Sequence, residues 1–327
     1  MKTPMLRPVL EAVTFGFERI GMMIRIAWFP IVLTVALHIA LFSLFVDVSA
    51  FSDVNIALEE ATNDVDINVA TEEELEQALE EAFADFDGAD IAGLFFASII
   101  ASLLSMLIFA PVLVAATRAS TLADYEPPSW PIYFAIGSRE VKYVVVQILY
   151  SILITVIAVV FGGLAIASLA GMAAFLESID GPIRLLIATG GAVFGAGFVF
   201  LGVWLALRFI TVLPIAAVEN RIDFGAAWRM TAGNFWRVVL SGLFFINILP
   251  AATGVLFIAM VAPAVVILLL ASSVLSSVAG PMAFALVGLA VLFLVPAVIA
   301  VASFSLGAQA AFPARLYAYL SGCGDDF

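Results

Sequence analysis

Six apolar runs, each long enough to cross a bilayer as a helix, dominate this chain of 327 residues. A hydrocarbon core about 30 Å thick needs about 20 apolar residues in a helix. The runs extend from about Ala27 to Val46, Ile91 to Ala116, Tyr143 to Leu169, Leu185 to Pro214, Val238 to Ala262 and Met282 to Ala308. Inside lipid each backbone N–H and C=O needs a partner from the protein, which a helix supplies within its own segment. Composition points to the same solvent. The hydrophobic class makes up 64% of residues and charged residues only 12%, against roughly 25% charged in a soluble domain. The sequence predicts an all-α polytopic membrane protein with six transmembrane helices, a single integral membrane domain over residues 1–327.

A further apolar stretch lies between the fifth and sixth runs. Pro263 and Pro281 bracket it, and Ser272, Ser273, Ser276 and Ser277 make its second half polar. It reads as a short helix packed at the outer surface. Were it to span, there would be seven helices and the C-terminus would lie outside.

Charge sets the orientation. The net charge is -13, yet fifteen of the 26 acidic residues fall between Asp47 and Asp90, and no Lys or Arg occurs from Ile26 to Thr117. With the N-terminus inside, the inner segments carry Lys2, Arg7, Arg19, Arg25, Arg118, Arg139, Lys142, Arg208, Arg221, Arg229, Arg237 and Arg315, and the outer ones only Arg184. Cytoplasmic loops carry the excess of Lys and Arg, so both termini are expected in the cytoplasm of a bacterium, with loop 47–90 outside its inner membrane. Leu75, Leu79, Ala82, Phe83 and Phe86 recur at helical spacing in that loop, and Thr71 with Glu74 resembles a capping box. They predict a short amphipathic helix over about residues 72–86. The basic residues up to Arg25 and the long run after them read as a retained first helix, not a cleavable signal. No basic stripe suggests nucleic-acid binding.

Each outward-going run follows a segment rich in aromatic and basic residues: Phe15–Pro30, Trp130–Tyr143 and Phe224–Arg237. Such segments suit amphipathic helices at the interface, where ring bodies are apolar and arginine heads reach water. Two inward-going runs place a proline seven residues before an arginine, Pro111 with Arg118 and Pro214 with Arg221, and the third has Pro313 and Arg315. This fits three repeats of an interfacial helix plus a hairpin. It equally fits any six-helix chain with amphipathic starts and prolines near its exits.

Few residues carry chemistry. Arg208 lies near the inner end of the fourth run, placed to anchor there, to pair with Glu219 after a turn at Pro214, or to meet an anionic headgroup. Glu219, Asn220, Arg221, Asp223, Arg229, Thr231, Asn234 and Arg237 form the densest polar cluster on the cytoplasmic side. Asp223 is placed to cap a helix through Ala226, Ala227 and Arg229, with Gly233 and Asn234 at its exit. His38, the only histidine, sits in the first run, suited to an interhelical hydrogen bond or a proton relay. Cys323, the only cysteine, permits no intramolecular disulfide. Gly190, Gly191, Gly195, Gly197 and Gly202 suggest close helix contacts. No phosphate loop, serine elbow, paired carboxylate or cofactor motif is present.

The stretch from Leu207 to Leu240, LRFITVLPIAAVENRIDFGAAWRMTAGNFWRVVL, is the most distinctive. It resembles the membrane domain of bacterial glycerophosphoryl diester phosphodiesterases and that of stand-alone inner-membrane proteins of the YciC type. Arg208, Pro214, Glu219, Asn220, Ala226, Trp228, Gly233, Asn234, Phe235 and Trp236 carry the resemblance. It implies a membrane module without the soluble catalytic barrel. The expected function is therefore non-enzymatic: a structural, scaffolding or lipid-associated role. Membrane lipids are the expected partners, with anionic headgroups meeting Arg208, Glu219, Asn220, Arg221, Arg229, Asn234 and Arg237. A second copy of the chain or another membrane protein is the open alternative as partner. A transporter or channel for a small or lipid-like solute is the competing function, and a membrane-embedded enzyme ranks behind both.

Overall fold

A computed structural model of the protein describes residues 6–45, 88–122, 124–127, 133–176, 182–275 and 281–322. Regular structure among them is helical. In chain order come α1 (Arg7–Glu18), α2 (Ile20–Phe45), α3 (Gly88–Thr121), α4 (Ser138–Ile157), a π-helical turn (Ala158–Gly162), α5 (Gly163–Leu176), α6 (Pro182–Arg208), α7 (Val212–Glu219), α8 (Phe224–Ala232), α9 (Phe235–Leu275) and α10 (Pro281–Ser321). Six stretches are long and apolar enough to cross a membrane: Ile20–Leu41, Phe95–Thr121, Ser138–Ala173, Ile187–Glu219, Phe235–Met260 and Leu294–Ser321. The all-α fold with six candidate spans is as the sequence predicts. Most of loop 47–90, with its helix at 72–86, lies outside the described residues, as does Cys323; α3 already begins at Gly88.

The chain divides into two compact units, Met1–Phe29 with Phe109–Phe327, and Pro30–Ile108. In the smaller unit, large apolar side chains such as Val35, Ile39, Phe95 and Phe96 are exposed, as lipid-facing positions are. His38 is exposed there, and its Nδ1–H donates to the Thr34 carbonyl at 2.8 Å. Among the described residues its hydrogen bond is within its own helix and not the interhelical one expected, because the carbonyl one turn back is within reach.

In the larger unit the core is built of small residues. Ala110, Ala216, Ala217, Ala226 and Ala227 are buried together with Val114, Tyr143, Val146, Val212 and Ile215. Lipid tails are as apolar as leucine, so helices in a bilayer associate through close packing and not through escape from the solvent. Larger rings fill the remaining gaps. Phe312 stacks on Phe245 with centroids 4.1 Å apart, and fully buried Phe304 meets Phe17 at 4.4 Å. α1 packs along α10, and α9 and α10 pack along each other.

α5 packs on α6, and two glycines show how closely. A Cβ on Gly191 would lie 2.5 Å from the Met172 side chain, and one on Gly202 would lie 3.1 Å from Phe161 Cβ. The close contacts expected of this glycine-rich helix are present at Gly191, Gly195 and Gly202, while Gly190 and Gly197 face open space.

Several boundaries differ from the sequence reading. The first short helix occupies Arg7–Glu18, upstream of the expected start, and a break at Arg19 separates it from α2. In the second interfacial segment, Tyr133–Gly137 is non-helical and α4 begins only at Ser138, where Glu140 accepts from the Gly137 N–H. Glycine at that position and its acidic cap favour a start there over a helix through it. The stretch from Pro263 is no separate helix: α9 runs unbroken to Leu275. A proline costs one internal hydrogen bond, and in an otherwise continuous apolar run that loss does not end the helix. α10 likewise continues through Pro313 to Ser321, past the expected end at Ala308.

Candidate functional site

The fourth span breaks immediately after Arg208. Residues Phe209–Thr211 form a turn, and α7 restarts at Val212. Pro214 explains the break. Without an N–H, and with its ring against the carbonyl four residues back, it weakens the helical ladder at Ile210. It fits the first turn of a new one, where N–H groups lack partners anyway. The expected continuous helix through Pro214 is therefore two helices.

α7 ends at Asn220, whose φ of 55° and ψ of 36° lie in the left-handed region. Asparagine tolerates this conformation better than most non-glycine residues. The Asn220 carbonyl accepts from Lys142 Nζ at 2.8 Å, tying α4 to the end of α7. Asp223 then caps α8, accepting from the Ala226 N–H at 2.7 Å, and Gly233 closes the helix. Cap and exit both stand where the sequence places them. Asn234 accepts through its carbonyl from the Arg237 and Val238 N–H groups and so starts α9.

The seven candidate residues separate into distinct environments. Glu219 accepts from Arg221 Nε and from the Tyr317 hydroxyl of α10. Arg221 also reaches Asp223 Oδ2 at 2.9 Å. The Glu219 hydrogen bond, and then its charge, hold the Arg221 guanidinium above its usual pKa, with Asp223 adding to the effect. Arg221 is thus doubly neutralised.

Arg208 does not pair with Glu219, whose oxygens are taken. Its guanidinium lies 4.3 Å from the Trp228 ring and 5.2 Å from the Trp204 ring. Nη1 donates to the Trp228 carbonyl at 3.4 Å. The hydroxyl of buried Thr231 lies within donating distance of the carbonyls of Arg208 (3.2 Å), Ala227 (3.0 Å) and Trp228 (3.1 Å), and its one proton can join α8 to the end of α6. Phe200, Trp204, Phe209, Phe224, Trp228, Phe235 and Trp236 join in a chain of ring contacts around this junction. Arg229 is exposed on α8 and Arg237 half-buried on α9, and neither makes an ion pair among the described residues.

Two features escape sequence reasoning. One is a polar node at Glu11. It accepts from Arg7 Nε at 2.7 Å and from the Tyr319 hydroxyl, and lies 3.8 Å from Arg315. Only the Arg7–Glu11 spacing hinted at it; the Tyr319 contact spans 308 positions. The other is an apolar cavity of about 290 Å³ at the π-helical turn, lined by Ile154, Ile157, Phe161, Val199, Gly202 and Ala206, among others. Arg208, nine residues past Val199, lies two and a half helical turns on, so it projects from the opposite face of α6.

Together these observations define a multi-pass, all-α membrane protein whose arginines gather around short helices at the ends of its spans. The chain matches no protein-family profile, no characterised protein and no solved structure.

Proposed function

We propose that this is a non-enzymatic protein of the bacterial inner membrane with a structural, scaffolding or lipid-associated role, holding anionic lipid headgroups against the rim formed by α8 and its flanks. Both termini lie in the cytoplasm in this reading, and loop 47–90 lies outside. One observation carries it: among the described residues Arg208, Arg229 and Arg237 have no carboxylate partner, and they sit beside Trp228 and Trp236, which are exposed. Tryptophan and arginine together mark the headgroup level, where rings sit among glycerol groups and cations meet phosphates. Arg221 contributes little, since Glu219 and Asp223 already compensate it. Leu207–Leu240 resembles the membrane domain of phosphodiesterases whose catalysis lies in a separate soluble barrel, for which this sequence has no room, and that supports a non-enzymatic role.

The test is lipid selectivity. Protein reconstituted in mixed phosphatidylethanolamine and phosphatidylglycerol bilayers is extracted gently, and its retained lipid is quantified. Phosphatidylglycerol should be enriched over the bulk, less so at high salt and less so after combined Arg229→Gln and Arg237→Gln. Arg221→Gln should change little. Retention equal to bulk composition, indifferent to these substitutions, refutes the reading. For orientation, a Thr71→Cys label in a Cys323→Ser background should react with an impermeant thiol reagent in spheroplasts; reaction only after lysis reverses the topology.

A further inference from the structure

We infer that Arg208, Trp204 and Trp228 form a discrete site for the phosphate of one anionic phospholipid at the break between α6 and α7. This rests on the headgroup reading above and narrows it to a single place. Arg208 is the last residue of α6, at the point where the fourth span breaks, and its side chain is half-buried there. A guanidinium does not shed its proton in a protein, so the charge stays. Arg7 and Arg315 have Glu11 within 4 Å, and Arg221 has two carboxylates. Among the described residues Arg208 has none within 4 Å, as is true of Arg118, Arg139 and Arg237, and a half-buried cation without a counter-charge at a membrane helix end favours an anionic ligand.

The hydrogen bonds point the same way. Among five N–H donors, Arg208 uses one, in a long 3.4 Å contact to a carbonyl. Among the described residues its Nε is buried with no acceptor, as are those of Arg118, Arg139 and Arg315, and here Trp204 Nε1, one turn earlier on the same helix, is orphaned as well. Buried donors are almost always satisfied, so two neighbouring orphans call for an acceptor. A phosphate supplies charge and acceptors together. Two of its oxygens match the guanidinium fork, and the indole N–H offers a further donor. The flanking rings hold the guanidinium by cation–π attraction. Both donors are covered in the unliganded protein, so binding requires the side chains over them to shift. Inorganic phosphate presents the same oxygens, but a site within a span is reached from the lipid side, and the lipid is the assigned ligand.

The full-length protein in neutral detergent is titrated with phosphatidylglycerol, phosphatidylcholine or inorganic phosphate, and bound ligand is counted by native mass spectrometry. The wild type should retain one phosphatidylglycerol tightly. Arg208→Gln should weaken that first binding about tenfold or more, and Trp204→Phe, which keeps the ring and loses the N–H, about fivefold. Combined Arg229→Gln and Arg237→Gln should leave the first lipid in place and lose weaker additional ones. If that pair abolishes the first binding while Trp204→Phe and Arg208→Gln retain it, this site is wrong and the broader headgroup reading stands. Equal retention of phosphatidylcholine and phosphatidylglycerol overturns both. Displacement of the lipid by inorganic phosphate at comparable concentration overturns the assignment to lipid. Should Arg208→Gln fail to fold, Trp204→Phe decides alone.

Discussion

Glu11 is the clearest place to test what holds the short N-terminal helix. Its carboxylate accepts from Arg7 Nε at 2.7 Å and from the Tyr319 hydroxyl, and Arg315 stands 3.8 Å away with its side chain 17% exposed. Glu11→Gln keeps the shape and removes the charge. Hydrogen bonds to charged groups contribute about 1.5–3 kcal/mol each. The Glu11 side chain is 25% exposed, so water screens part of this, and a net loss of about 2 kcal/mol is expected. Tyr319→Phe removes one donor and keeps the ring that Arg7 overlies at 5.5 Å; it should cost about 1 kcal/mol. Glutamine still accepts from the Tyr319 hydroxyl, so the double variant should lose less than the sum of the singles by the charge-assisted part of that bond, about 0.5 kcal/mol, and Glu11→Leu with Tyr319→Phe by about 1 kcal/mol. Thermal unfolding in detergent reads this, with Glu11→Gln lowering the midpoint by roughly 4 °C. Strictly additive losses would show that Tyr319 and Glu11 do not act on each other, and the reasoning about α1 docking would fail.

Asp223→Ala should destabilise α8 by about 1 kcal/mol through loss of its cap, seen as faster amide exchange over 224–232; Asp223→Asn should restore most of it, since asparagine also caps. Gly202→Val pushes a side chain against Phe161, whose Cβ would lie 3.1 Å away, and should cost about 1–3 kcal/mol. Gly191→Ala should cost a similar amount in the same thermal assay, because its Cβ would lie 2.8 Å from Met172 Cγ as well as 2.5 Å from the mobile Cε. His38→Leu should leave stability within about 0.5 kcal/mol, because the ring is exposed and bonds only its own helix; a larger loss would mean His38 meets another partner.

The sequence was informative wherever the governing interaction is local. Spans show because twenty consecutive apolar residues have few other uses, and the α8 cap shows because Asp223 and the N–H it accepts are three residues apart. Breaks and continuations were less legible, because proline has two outcomes. At Pro214 the helix restarts, whereas at Pro111 and Pro313 it runs on. What decides is whether neighbours hold the chain straight, and that is a tertiary property. The candidate site was half legible. Arg208 announced itself as a charge in an apolar run, yet its partners are rings from another helix, and Trp228 comes to it only because α7 turns the chain back. The pairing with Glu219 was a sound local guess that failed because Tyr317, nearly a hundred residues on, reaches Glu219 from α10.

That contact also shows why the end of α10 matters beyond its own span. Arg315 and Tyr319 are four apart and so share a face, and both reach Glu11 on α1. Tyr317, midway between them, projects from the opposite face and reaches Glu219 at the end of α7. The terminal turns of α10 are thus a wedge between two short helices, held by a carboxylate on each side. Lys142 continues the chain of contacts from the end of α7 to α4, and the Thr231 hydroxyl can join α8 to α6. Apolar packing alone would leave these short helices weakly placed, because lipid solvates an apolar face as well as a neighbouring helix does. Polar contacts between helices supply the specificity that hydrophobicity cannot. Arg208 is one of several cations with no carboxylate within 4 Å among the described residues, and what sets it apart is the pair of indole rings, Trp204 and Trp228, that its guanidinium lies against.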